Sequence, residues 1–242
     1  MSDFDGTIAP IVADPALAAA DPRAVCALHR LATRLEAVAV VSGRPARFLV
    51  RALELAERRS PLRVYGIYGA EEALPDGSVR TLEGLASRAE AVGLAVDELR
   101  SALAPPVEVE EKRLAAGVHW RKDPAAAEAA AVVARSVAER HDLVMRPGRM
   151  SVELLPVGAP DKGSVVRRLA AGSSVACCLG DDLGDVPAFD AVAELGRGGA
   201  LRAFRVAVGS DELPDALLAA ADLVLDGPAA ATELLAELAA RV

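Results

Sequence analysis

The opening stretch Met1-Ser-Asp3-Phe-Asp5-Gly6-Thr7-Ile-Ala-Pro-Ile11 sets two carboxylates one residue apart, followed by Gly and Thr. Taken alone, Asp-x-Asp-Gly is ordinary turn chemistry, so its meaning depends on the rest of the chain. Beyond it the segments alternate. Residues 21–36 start with Asp-Pro and space apolar residues at helical intervals, which predicts a helix capped by Asp21. AVAVVSGR (37–44) is an apolar, β-branched run ending in Ser-Gly, a buried strand entering a loop. Pro45 opens a helix to about residue 58, and LRVYGIYGAEE (62–72) reads as a second buried strand with a Gly-rich turn. Strand, helix, strand, helix, strand indicates a parallel sheet with helices on its faces.

The pattern changes after the turn at Pro75-Asp76-Gly77. Residues 84–103 suit a helix, 106–121 suit two strands turning near Lys112 to Leu114, and 123–140 form an Ala-rich helix behind Asp123-Pro124. Residues 142–156 carry Pro147-Gly148 at their centre and predict a second hairpin turning there. After Pro160 the first pattern returns: helix (DKGSVVRRLAA), strand (SVACCLGDD), helix, two short strands and a closing helix. The expected fold class is therefore α/β, a Rossmann-like parallel-sheet core (residues 1–77 and 156–242) interrupted by an α+β insert (residues 78–155).

The bulk numbers are consistent with a globular chain. Hydrophobic residues make up 52% and charged residues 26%, with aromatics at only 3%, so packing rests on Ala, Leu and Val. The net charge of −8 argues against non-specific binding to nucleic acid or to an anionic membrane. No apolar run approaches the ~20 residues of a membrane span. Cys26, Cys177 and Cys178 lack metal-ligand spacing and read as buried thiols of a cytoplasmic protein. His29 and His141 read as surface residues, and Trp120, Met145 and Met150 as packing.

In a parallel sheet, ligands bind beyond the carboxyl ends of the strands. The loops there are Asp3–Thr7, Ser42-Gly43-Arg44 and Gly180-Asp181-Asp182, with Lys162 opening the helix that leads back into the sheet. Clustered carboxylates repel, and a hard cation such as Mg²⁺ offsets that repulsion with oxygen ligands, often beside a phosphate. Lys162 and the backbone N–H groups around Ser42, Gly43 and Arg44 are candidates for holding phosphate oxygens. An aspartate can attack phosphorus, and a second acid can protonate the leaving oxygen and then activate water.

DFDGT, VSGR, the Lys of PDKGS and GDDLGD, in that order over residues 3–185, resemble the four motifs of the haloacid dehalogenase superfamily of phosphatases. Each motif alone is weak; the ordered set is specific. The resemblance implies that Asp3 is the nucleophile, Asp5 the general acid/base, Ser42 a phosphoryl ligand and Lys162 its neutralising partner. It implies Mg²⁺ held by Asp3, Asp181 and the carbonyl of Asp5, with Asp182 among the metal acids and Asp185 beside it.

Three stretches resemble trehalose-6-phosphate phosphatases: VYGIYGAE (64–71) before the insert, and within it Glu110-Glu111-Lys112 followed by His119-Trp120-Arg121, and Gly148 to Glu153. The insert would then be a cap, and the partner a small sugar phosphate bound by Glu110, Lys112, Arg121, Arg149, Ser151 and Glu153. Residues two apart on a strand share a face, which groups Glu110 with Lys112, His119 with Arg121, and Arg149, Ser151 and Glu153. Solvated hairpin charges are the plainer explanation of each of these residues singly. Phosphatases for sucrose or mannosylglycerate phosphates, and a non-catalytic phosphosugar sensor, stand beside the leading reading of a monomer acting on trehalose 6-phosphate. Two departures bear on it: Gly184-Asp185-Val186 stands where Thr-Asp-Glu is usual, and Ser151 where Asn is expected. Asp3 should also cap a central strand of about four to six apolar residues. Met1 and Ser2 are too short to supply one, so two unpaired ladders are expected, from either a late start or a truncated chain.

Overall fold

A computed structural model describes residues 1–12, 14–199, 201–210 and 213–242. Two compact units divide the chain, residues 1–80 with 160–242 and residues 81–159, so both divisions fall three to four residues later than the sequence pattern placed them.

In chain order the first part holds α1 (Pro22–Ala32), β1 (Ala39–Val41), α2 (Ala46–Ala52), α3 (Leu55–Arg58), β2 (Arg63–Gly66), β3 (Glu71–Ala73) and β4 (Val79–Thr81). The middle part holds α4 (Ala89–Ala102), β5 (Glu108–Glu111), β6 (Ala116–His119), α5 (Ala127–Arg140), β7 (Leu143–Gly148) and β8 (Ser151–Pro156). The last part holds α6 (Lys162–Leu169), β9 (Val175–Gly180), α7 (Val186–Arg197), β10 (Arg202–Val208), α8 (Asp215–Ala220), β11 (Leu223–Leu225) and α9 (Gly227–Arg241).

The first unit is a mainly parallel sheet. β9, β10 and β11 pair in parallel, as do β1 and β2, while β3 returns antiparallel to β2. The two halves are joined by Met1–Asp3. Ser2 donates to Ala39 O (2.9 Å) and accepts from Val41 N–H (3.0 Å); Asp3 donates to Leu179 O and Leu179 to Met1 O, both at 3.0 Å. The expected pair of unpaired ladders is thus corrected at these residues, because the ladder asks only for backbone groups and three residues offer enough for four bonds. Asp3 is delivered to the sheet's carboxyl edge as a result. Helices cover both faces. Phe4, Ile8, Leu28, Leu31, Val206 and Leu235 belong to one apolar cluster, and Val166, Cys178, Phe189, Val192 and Leu217 to the other.

The Asp21 cap is in place, whereas Asp123, expected to cap the Ala-rich helix, makes no side-chain cap hydrogen bond. Asp21 accepts from Arg23 N–H at 2.7 Å, and Asp161 and Ser164 form a reciprocal capping box that fixes the start of α6. The helix predicted to about residue 58 is broken by left-handed Glu54 (φ 52°). The turn expected at Pro75-Asp76-Gly77 is present, Gly77 N–H donating to Leu74 O at 2.8 Å, and it joins two short strands, β3 and β4; α8 lies where the sequence pattern gave no element.

The second unit is one four-stranded antiparallel sheet in the order β5-β6-β8-β7, so the two expected hairpins join along β6 and β8. Val109, Val118, Val152, Leu154 and Met145 pack with α4 and α5 on one face. The turn of the second hairpin falls at Arg149-Met150, Met150 taking φ 51°, and Pro147 and Gly148 lie in β7. Pro-Gly was therefore misread as the turn.

His29 also differs from expectation. It is 5% exposed on α1, with Nδ1 against Ser60 Oγ and Nε2 2.6 Å from Leu53 O. The thiols vary as well: Cys26 is exposed, Cys177 half-buried and Cys178 buried. Burial pushes the Cys178 thiol up to about 12. No helix among the described residues is long and apolar enough to cross a membrane.

Burial holds the His29 imidazole below its usual value of 6.5, against the opposing pull of the Leu53 carbonyl. The unfolded chain therefore takes up this proton at a higher pH than the folded one. Stability from neutral His29 is complete above about pH 6.5 and declines as the pH falls toward the lower folded value. His29→Ala should cost on the order of 2–4 kcal/mol at neutral pH, by lost packing and two orphaned partners. Urea titrations at stepped pH should show that the variant lacks this contribution to acid destabilisation.

Candidate active site

The carboxyl edge of the first unit's sheet gathers side chains from four loops. Lys162 Nζ lies 2.7 Å from Asp3 Oδ1 and 2.8 Å from Asp185 Oδ1, and all three residues are at most 5% exposed. Asp185 Oδ2 accepts from the N–H groups of Asp181 (3.1 Å) and Asp182 (3.4 Å). Asp182 Oδ1 accepts from Gly184 N–H at 2.8 Å, closing the turn that starts α7. Thr7 donates to Asp181 Oδ1 at 3.0 Å. The loops meet so closely that a β-carbon on Gly6 would fall 1.9 Å from Asp181 Oδ2, and one on Gly180 would fall 2.2 Å from Asp185 Cγ. Only glycine permits these approaches.

The electrostatics follow from burial. Desolvation pushes Asp3 well above the ordinary carboxylate range; Lys162 opposes this, while Asp185, Asp181 and Asp182 add to it. Burial and the neighbouring Asp185 and Asp182 push Asp181 up to about 8, with Lys162 and Thr7 pulling the other way. Burial disfavours the Lys162 ammonium, yet Asp185, Asp3 and Asp182 together raise it above the usual lysine value. Four carboxylates around one ammonium leave an excess of negative charge.

Oxygens of Asp3, Asp182 and Asp185 lie within 4.8 Å of one another. An all-oxygen, carboxylate donor set with unbalanced charge fits a hard divalent cation. This grouping differs from the set implied by resemblance. Asp181 contributes an oxygen to Thr7, and Asp185 enters the cluster in its place. The Asp5 carboxylate is elsewhere, both oxygens being held by Arg44 at 2.7 and 2.8 Å. Arg44 also donates to Pro15 O at 2.7 Å and stacks 4.6 Å over the Phe48 ring. The structure therefore places Arg44 on the acid rather than at a ligand position. Ser42 is 2% exposed, its Oγ accepting from Arg44 N–H at 3.1 Å. Beside Gly43 lies Tyr68, which sequence reasoning passed over.

The second unit presents a polar row on the sheet face opposite its apolar cluster. Across the strands, Glu110 pairs with Gly117, Gly117 with Glu153, and Glu153 with Arg146. Lys112, 8% exposed, bridges Glu153 and Glu110, the latter at 3.4 Å. Glu110 also takes His119 Nε2 at 3.1 Å. Despite its burial, Glu110 is pulled down to about 2 by His119 and Lys112. Burial opposes the Lys112 charge, but Glu153 and Glu110 raise it. Glu153 Oε2 is buried with no hydrogen-bond partner among the described residues. Ser151 shares β8 with Glu153, whereas Arg149 lies in the turn and Arg121 beyond the end of β6, so neither follows the strand alternation expected for it. Arg146 was missed; its signal was its alternation with Met145, which faces the apolar cluster, in β7.

The chain is similar to known proteins over its whole length. The trehalose-phosphatase family model matches residues 1–213. A trehalose-phosphate phosphatase of Mycolicibacterium paratuberculosis is 37% identical over 255 residues, covering 98% of this chain and 61% of its own length. The chain thus spans about three fifths of that relative. The C-terminal domain of C. albicans trehalose-6-phosphate phosphatase superposes with TM-score 0.79 at 24% identity, covering all of this chain and 92% of that one. A haloacid dehalogenase-like hydrolase from Bacteroides thetaiotaomicron gives TM-score 0.65 at 15% identity, with 98% and 97% covered.

Removing the central cation should expose what it offsets. Lys162→Met leaves Asp3 and Asp185 buried with no compensating charge, an expected loss of about 3–5 kcal/mol. Chemical denaturation measures it, and added Mg²⁺ should restore part of the loss by supplying a cation in place of the ammonium.

Proposed function

The chain belongs to the trehalose-phosphatase family, and from that premise we propose that it hydrolyses trehalose 6-phosphate to trehalose and inorganic phosphate through an aspartyl-phosphate. The observation that carries this reading is the convergence of Asp3, Lys162 and Asp185 within hydrogen-bonding distance at the sheet edge. Asp3 Oδ1 is taken by Lys162, so Oδ2 is the attacking oxygen. The Asp3 oxygen bonds to phosphorus, the phosphorus–sugar oxygen bond breaks, and the leaving oxygen takes a proton from Asp5. Asp5 then removes a proton from water, whose oxygen attacks phosphorus and frees Asp3 with release of phosphate. The protonated Asp5 is the weaker acceptor for Arg44, and giving the proton up restores the carboxylate that the guanidinium orients through both oxygens. Ser42 and the N–H groups near Gly43 hold phosphoryl oxygens, and Lys162 balances charge on the transferring group.

Asp3, Asp182 and Asp185 are the residues that would hold Mg²⁺, joined by Asp181 and the Asp5 carbonyl. Bound there, the ion would supply Lewis-acid stabilisation of phosphoryl charge. On this reading Glu110, Lys112, Ser151 and Glu153, with Arg121 and Arg149, bind sugar hydroxyls. The support is Glu153 Oε2, a buried acceptor suited to a hydroxyl donor. All these groups come from one chain, which we infer acts as a cytoplasmic monomer.

A phosphate-release panel tests the proposal. Trehalose 6-phosphate should be hydrolysed ahead of sucrose and mannosylglycerate phosphates; a different preferred sugar phosphate would displace the substrate assignment, and binding without release would point to a sensor. Chelation should abolish turnover and Mg²⁺ restore it. Asp3→Asn should lower kcat by roughly 10³-fold or more, since it removes the group that forms the covalent bond. Glu153→Gln should raise KM for trehalose 6-phosphate by about tenfold, the worth of one hydrogen bond to a charged group, with little effect on p-nitrophenyl phosphate.

A further inference from the structure

The stretch Val64–Glu71 takes no part in the chemistry above, yet its backbone is the most strained near the site. Ile67, Tyr68 and Gly69 are successive left-handed residues, with φ of 45°, 57° and 108°. A β-branched residue in that region is an outlier, and such conformations persist only where their surroundings hold them. Three hydrogen bonds do the holding. Tyr68 N–H donates to Ser42 O and Ile67 N–H to Arg44 O, both at 2.9 Å. The buried Glu71 carboxylate accepts from Ala46 N–H at 2.8 Å. The turn is thereby fastened to the loop carrying Ser42 and Gly43 and to the start of α2 behind it.

What the fastening delivers is the Tyr68 ring. Its phenol end lies against Gly43, where a β-carbon would sit 2.7 Å from Oη and 2.8 Å from Cζ. Its edge lies against Gly184, where a β-carbon would sit 3.4 Å from Cε1. Gly184 in turn donates its N–H to Asp182. A single ring therefore touches both the loop assigned to phosphoryl oxygens and the turn that carries Asp182 and Asp185. Glycine or asparagine would satisfy this backbone with less strain. The contribution of the position is thus the side chain rather than the turn.

We propose that Tyr68 is a positioning residue whose ring sets the separation of the Ser42–Arg44 loop from the Asp182–Asp185 turn, and with it the space into which a phosphoryl group fits. This rests on the phosphoryl-transfer reading of the site. The flat ring is the spacer.

The test compares Tyr68→Phe, which keeps the ring, with Tyr68→Asn, which removes it but accepts left-handed backbone. Binding of inorganic phosphate with Mg²⁺ present is measured by calorimetry, with Tm recorded alongside. Tyr68→Phe should bind within about twofold of wild type and Tyr68→Asn at least about tenfold more weakly, at closely similar Tm. KM for p-nitrophenyl phosphate should rise in Tyr68→Asn alone. Wild-type affinity in Tyr68→Asn overturns the proposal, as does an equal loss in Tyr68→Phe, which would transfer the role to the hydroxyl. Absence of phosphate binding in the wild type overturns it too. Wild-type binding without turnover defeats the phosphatase reading instead, and leaves the positioning role to the Phe–Asn comparison. Should Tyr68→Asn not fold, Tyr68→Gly takes its place; failure of both to fold makes the role purely structural and overturns the proposal.

Discussion

The Lys162 ammonium, held between Asp3 and Asp185 away from water, is the constraint around which the first unit is arranged. A single buried charge is strongly unfavourable, and a buried carboxylate pair worse, unless the ions meet with good geometry and their remaining bonds are made. Here the remaining bonds are made by backbone: Asp185 takes two amide protons from its own loop. The arrangement requires residues 3, 162 and 185 to reach one point. The parallel sheet provides that point, because strands running the same way bring their following loops to the same edge. Even the three-residue segment Met1–Asp3 is held to this geometry by bonds on both sides. Glycine then admits the close contacts, with Gly180 leaving room for the Asp185 carboxyl.

How far the sequence could be read depends on which property each residue expresses. Periodicity and caps are local, so β1, β2, β9, α1 and α6 were legible, with Asp21 as the cap of α1. The loop positions of Asp3, Ser42, Lys162 and Asp181 were legible for a related reason, since topology alone carries them to one edge. Side-chain partnerships were not, because they depend on rotamers and on neighbours distant in sequence. Nothing in Val-Ser-Gly-Arg says that Arg44 folds back on Asp5, or that Asp185 rather than Asp181 turns toward Asp3. His29 was misread because a helix's buried face admits a polar residue when both ring nitrogens find partners, here Ser60 and Leu53 from outside α1. Pro147-Gly148 was misread because β7 tolerates Pro, and a left-handed Met150 makes the turn that Gly was expected to make.

The two units solve the burial of charge in the same way and reach different results. Each has a lysine, at 162 and at 112, enclosed by two carboxylates: Asp3 and Asp185 from distant loops in the first case, Glu110 two residues away and Glu153 from β8 in the second. In the first unit the set continues with Asp181 and Asp182, so acids outnumber cations, and carboxylates are pushed upward until a further positive charge offsets them. In the second, Glu110 and Glu153 meet Lys112, with Arg146 opposite Glu153 in the sheet and His119 on Glu110. Here Glu110 is pulled down rather than up. A charge-deficient pocket calls for a metal ion and, through it, an anion such as phosphate. A nearly balanced polar row offers donors and acceptors without net charge, the requirement for an uncharged polyol whose hydroxyls both give and accept.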